Sequence, residues 1–238
     1  MKTIKFLLTT IAVLLGSVMA NAHDFQVGGI YYNIISSDAV EVTFKGAKED
    51  SYDNEYMYRI VIPSTVTYEE NVYRVTRIGS NAFYFCTSLT SVVIPEGVTS
   101  IKSFAFYYCS SLTEITFPKS LTTVDYKAFD YCGNIKDVHI GSVESWLSIA
   151  FDESYGRPNR TSSSFNLYLN DKLITNLEIP ASINTIPEVA FAGCISLLSI
   201  TLHEDITSIG DYAFYGCEDL SRVINYSNLS LSAGMGSH

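Results

Sequence analysis

Ile78-Gly79-Ser80-Asn81-Ala82-Phe83-Tyr84-Phe85-Cys86-Thr87-Ser88-Leu89-Thr90-Ser91-Val92-Val93-Ile94-Pro95 decides the fold, because its pattern returns every 23 residues. Ile101, Ala105, Phe106, Cys109, Leu112, Ile115, Phe117 and Pro118 repeat it, followed by Val124, Ala128, Phe129, Cys132, Ile135, Val138 and Ile140. After an interruption the register resumes at Ile186, Ala190, Phe191, Cys194, Leu197, Ile200 and Leu202. It recurs at Ile209, Ala213, Phe214, Cys217, Leu220 and Val223. A period of this length marks a solenoid, whose units are too small to bury their apolar faces alone and lean on their neighbours.

Within one unit the alternation Leu89-x-x-Val92-x-Ile94 reads as a short strand with Val92 and Ile94 inward and Val93 outward. Proline ends it at Pro63, Pro95, Pro118 and Pro180, because the ring has no N–H for a neighbouring rung and holds the preceding residue extended. A second apolar pair follows, such as Val98 with Ile101. The Ala82-Phe83-x-x-Cys86 segment has the spacing of a helical or 3₁₀-like return arm.

Two further strands fit the series. Ile60-Val61-Ile62-Pro63 precedes the next unit by one period plus a hairpin with its tip at Tyr68 to Tyr73. Leu177-Glu178-Ile179-Pro180 follows an irregular insertion over residues 147–176. That insertion holds a polar loop from Tyr155 to Ser164, then a hairpin turning at Asn170-Asp171. The reading is a β-rich (α+β) solenoid over residues 57–230 with about seven rungs at ~4.8 Å each. Residues 23–56 read as an N-terminal β cap of three strands around Gly28-Gly29, and 231–238 as a tail.

Residues 1–22 carry Lys2 and Lys5, an apolar run from Phe6 to Leu15, and Ala20-Asn21-Ala22, which is the pattern of an export signal. The run is too short to span a membrane. Losing Lys2 and Lys5 with this segment moves the net charge from −10 to −12, which excludes nucleic acid and disfavours anionic membranes as partners. The five cysteines share one repeat position, so their side chains stack as parallel vectors. This is poor geometry for disulfides and for tetrahedral metal binding, and they read as buried free thiols.

No catalytic, cofactor-binding or metal constellation emerges. His139 sits at an outward strand position, and His203 takes the place of a strand-ending proline. The acidic stretch Glu49 to Glu55 lacks the spacing and glycine of a calcium loop and reads as solvated. Two outward columns are candidate binding surfaces. One comprises the strand residues Val61, Val93, Thr116, His139, Glu178, Thr201 and Ile224. The other comprises the rings Tyr84, Phe85, Tyr107, Tyr108, Tyr131 and Tyr215, which either present contact area or pack between rungs.

The unit resembles the BspA-type leucine-rich repeats of exported bacterial proteins, with their fixed Ala-Phe-x-x-Cys and trailing Ile-Pro, and Ile78 to Ser100 matches nearly throughout. The insertion is similar to an irregular unit of Bacteroides members. Gly141, His203 and Tyr226 depart from the pattern where proline is expected. The resemblance implies a right-handed coil, secreted, periplasmic or surface-displayed, that binds protein or glycan partners without catalysis. The alternative is a structural module that self-associates through its uncapped C-terminal edge.

Overall fold

The computed structural model describes residues 23–46, 55–152, 158 and 164–230. The expected export signal, most of the acidic stretch, most of the polar loop and the 231–238 tail lie outside these residues. Strands β1 (Phe25–Val27), β2 (Ile30–Ser36) and β3 (Ala39–Thr43) form an antiparallel meander turning at Gly28 and Gly29. After β4 (Tyr58–Val61), β5 (Thr65–Tyr68) and β6 (Asn71–Ile78) make the hairpin expected from the sequence. Its tip residues Glu69 and Glu70 are both left-handed. β3 then pairs in parallel with β6, so the meander occupies that strand's outer edge.

From β6 the chain coils. Long strands β7 (Leu89–Val93), β9 (Glu114–Phe117) and β11 (Asp137–Ile140) alternate with short strands β8 (Ser100–Ile101) and β10 (Thr123–Val124). Each coil contributes one strand to each of two parallel sheets. Val92, Ile115 and Val138 stand in register and are buried, and Ile78, Ile101 and Val124 do the same on the second sheet. Between them Phe83, Phe106 and Phe129 stack face to face at 4.8 and 5.0 Å. Tyr56 closes the N-terminal end of that stack at 4.6 Å from Phe83, with its hydroxyl donating to the Thr43 carbonyl at 2.6 Å.

The return arm is not a helix. Its bonds run from residue i to i−3, as from Cys86 N–H to Phe83 O, but a left-handed residue interrupts each arm twice. One such residue precedes each alanine (Asn81, Phe104, Lys127, Val189, Tyr212), and one precedes each cysteine (Phe85, Tyr108, Tyr131, Gly193, Gly216). These turns present backbone N–H groups to the next coil: Phe83 bonds Ala105 O, Phe85 bonds Tyr107 O, and Phe106 bonds Ala128 O.

The irregular segment corrects the expected order of strands. It opens with a one-turn-and-a-half helix, α1 (Val143–Ser148), which the sequence reading missed although Ser142 is its N-cap and Val143, Trp146 and Leu147 are its buried face. The segment continues through β12 (Ala150–Phe151), which pairs with β10, and β13 (Asn166–Leu169), which pairs with β11 in the place expected for Leu177 to Ile179. β14 (Lys172–Leu173) folds back on the far edge of β13 and takes up its ladder bonds. The remaining strands therefore begin afresh. β15 (Asn176–Glu178), β17 (Ser199–Leu202) and β19 (Arg222–Asn225) make one parallel sheet, and β16 (Thr185–Ile186) and β18 (Ser208–Ile209) another.

Several substitute bonds join the blocks, among them Ile195 N–H to the Phe165 carbonyl at 3.0 Å and Leu167 N–H to Ser196 Oγ at 3.2 Å. The Ala190 carbonyl, which in a regular stack would accept from the phenylalanine N–H of the coil before, accepts from the Trp146 indole at 3.0 Å. The Gly193 carbonyl likewise accepts from Phe165 N–H at 2.8 Å.

All five cysteines are free and buried. The thiols of Cys109, Cys132 and Cys217 donate to the carbonyls of Phe83, Phe106 and Phe191 in the preceding coil, at 3.0, 2.9 and 3.1 Å. Burial pushes the Cys86 and Cys217 thiols and the Tyr32 phenol up to about 12, and Cys109 and Cys194 upward as well. An unfolded thiol ionises near pH ~8.5, so the folded state holds protons there that the unfolded state releases. Stability is full below that pH and falls as pH rises toward 12. The melting temperature should thus decline steadily above about pH 8.5. A thiol reagent such as dithionitrobenzoate should leave the native chain unmodified yet titrate all five cysteines in denaturant.

Candidate binding surfaces

The strand column is real but divided. Val61, Val93, Thr116 and His139 stand side by side on β4, β7, β9 and β11, and the next residue is Tyr168 of β13, not Glu178. Glu178, Thr201 and Ile224 form a second column on the sheet of β15, β17 and β19. The two hairpin strands of the insertion separate them, so one seven-residue ladder does not exist.

Around the first column a polar network crosses the face. Arg59 reaches Ser91 Oγ at 3.3 Å and Glu114 Oε1 at 3.4 Å. His139 stacks on Tyr168 at 4.6 Å, with its Nε2 3.9 Å from Glu114 and its Nδ1 3.3 Å from Asp171 at the hairpin tip. Carboxylates beside both nitrogens hold the imidazole flat against the phenol. Asn166 donates to Asp137 at 3.0 Å, while burial and that carboxylate raise the Tyr168 phenol. Tyr168 was missed because it lies outside the 23-residue register; its alternation within Leu167-Tyr168-Leu169 was the available signal.

The ring column also forms, and it is broader than expected. Tyr84 stacks on Tyr107 at 5.1 Å and Phe85 on Tyr108 at 4.6 Å, and Tyr131 meets Tyr107 and Tyr108 at 5.3 and 5.5 Å. Phe104 joins through edge contacts with Tyr107 and Tyr126, each at 5.5 Å. Phe85, Tyr108, Tyr126 and Tyr131 remain exposed, whereas Tyr84 and Tyr107 are half-buried by their neighbours. The rings thus pack between coils while several of them keep an exposed face. Tyr215 stands apart, in contact with Tyr212.

Tyr126 also borders an open cavity of about 420 Å³ walled by Val124, Phe151, Asp125 and Asp152. Among the described residues no group of three His, Cys, Asp or Glu side chains is placed to hold a metal ion. Nor is any helix there long and apolar enough to cross a membrane.

Crystal structures of bacterial leucine-rich repeat proteins are similar to this chain. One from Bacteroides ovatus is 23% identical, covering 86% of this chain and 72% of its own, with a TM-score of 0.44. One from Bacteroides capillosus is 27% identical, covering 63% and 99%, with a TM-score of 0.47. The T. pallidum leucine-rich repeat protein is 20% identical, covering 83% and 90%, with a TM-score of 0.49. No curated protein matches. The BspA type leucine-rich repeat region matches in six copies over residues 76–156 and 161–232, more than half of the sequence. With the 23-residue coils, the thiol column and the parallel sheets in place, the chain belongs to the BspA type leucine-rich repeat family.

Proposed function

We propose that this chain is an exported, non-enzymatic binding module that engages a protein or glycan partner through its repeated surface. The observation that carries the reading is the unbroken register of outward residues over β4, β7, β9, β11 and β13, in which each coil offers one independently variable position on a rigid frame. Residues 1–22 support export. The thiols are all buried out of reach of a substrate, and His139 is held between carboxylates.

The test is binding of the purified chain to an array of extracellular matrix proteins and glycans. Bound spots are expected, with affinity falling tenfold or more when Thr116→Lys places a charge in the centre of the column. A chain that binds nothing on the array would remove the reading.

A second reading, stacking through the C-terminal edge, draws support from Val223, which is 49% exposed where Ile200 one coil earlier is 1% exposed. The column geometry opposes it for head-to-tail stacking. Arg222 lies in the column of Ser199 and Arg59 in that of Ser91, so an in-register joint between β19 and β4 sets arginine beside arginine. Sedimentation at tens of micromolar should give a single-chain mass; growth of mass with concentration, abolished by Val223→Asp, would favour stacking instead.

A further inference from the structure

We infer that the ring surface over residues 84–131 is a docking strip for a neutral, extended polysaccharide, an inference that rests on the binding-module reading and names its ligand class. Its starting point is a backbone conformation. Phe85, Tyr108 and Tyr131 have φ of 56°, 60° and 60°, in the left-handed region that costs a side-chain-bearing residue and that glycine enters freely. In the later coils the same place holds Gly193 and Gly216. Three successive coils thus keep large rings where the turn favours glycine, and those rings point outward and remain exposed. Stacking between neighbours offsets part of that cost, but exposure is left over.

The chemistry of the strip selects its occupant. It consists of phenyl and phenol groups, and the charges Lys127 and Asp130 within it face each other at 3.8 Å. A neutral strip on a chain of net charge −10 suits neither a polyanion nor a cluster of cations. Proline-rich peptides seat their rings in clefts between aromatic side chains, and here adjacent rings touch at 4.6 to 5.5 Å.

A sugar needs no cleft. Its C–H face lies on a ring while its hydroxyls bond phenols at the rim, and the coil repeat of ~4.8 Å is close to the length of one pyranose in an extended β-linked chain. At Tyr126 the strip runs into the open cavity, whose wall carries Asp125, paired with Lys102 at 3.2 Å.

The experiment is electrophoresis of the full chain through gels containing a mixed-linkage β-glucan, with heparin gels and a polyproline peptide as comparators. Retardation is expected in β-glucan alone. The triple variant Phe85→Gly, Tyr108→Gly, Tyr131→Gly should weaken it at least tenfold while melting no lower than the parent, because glycine already serves this turn in two coils. Tyr126→Ser, outside the left-handed positions, should weaken it severalfold and decides the matter if the triple variant does not fold.

No retardation of the parent, equal retardation of parent and variants, or displacement of the glucan by polyproline would each overturn the inference. Array binding that is sensitive to Thr116→Lys, in a chain that passes freely through β-glucan, would sink the polysaccharide strip and leave the binding module standing.

Discussion

Replacing Trp146 with alanine should split the unfolding of this protein into two transitions. The indole is almost wholly buried, with its N–H on the Ala190 carbonyl 44 residues away, and it meets Phe117 at 5.7 Å and Phe151 at 5.6 Å. Truncating a buried tryptophan costs ~3–5 kcal/mol, and the orphaned carbonyl adds ~1–3 kcal/mol.

The position of the loss matters more than its size. Solenoid coils are stabilised by their nearest neighbours, and no strand pairing joins the sheet of β15, β17 and β19 to that of β13. Trp146, Phe165 and Leu167 make the junction, so weakening it should let the C-terminal block melt first. Urea unfolding followed by far-UV circular dichroism should show a second, earlier step, while Trp146→Phe, which keeps most of the volume, should lose only the ~1–3 kcal/mol of the bond. One transition with an unchanged midpoint in Trp146→Ala would refute this account of the junction.

Phe106→Ala should destabilise the N-terminal block by ~3–5 kcal/mol, with a lowered urea midpoint. Its ring is fully buried between Phe83 and Phe129, parallel to each within 5°, so removing it opens a void that rigid sheets on both sides cannot collapse to fill. Phe214→Ala is the internal comparison. That ring occupies the same repeat position, but it is half-buried and, among the described residues, stacks on Phe191 on one side only, at 5.5 Å. Its loss should cost about half as much. Equal costs at the two positions would mean that the stack of rings is not what holds the coils together.

Much of this was legible in the amino-acid sequence, and some of the site was not. Val93, Thr116 and His139 could be placed on one face from the period alone, but Glu178 and Thr201 could not be joined to them, because the residue beside His139 belongs to a segment without the period. Tyr84 with Tyr107, and Phe85 with Tyr108 and Tyr131, could be set in two rows, while the left-handed turns beneath Phe85, Tyr108 and Tyr131 could not. Aromatic residue type carries no information on the sign of φ; only Gly193 and Gly216, at the same repeat position, hinted at it.

The sequence by itself determined the coil, the inward residues, the thiol column and the hairpin at Glu69-Glu70. In a solenoid each of these depends on contacts one repeat away, so the information is local and periodic. The tertiary structure alone decided that β13 enters the stack, that the sheet restarts at β15, and that an indole stands in for a missing backbone donor. Those outcomes depend on single partners far along the chain, such as Trp146 and Ala190, which are 44 residues apart and are brought together by the stacking of the coils on either side.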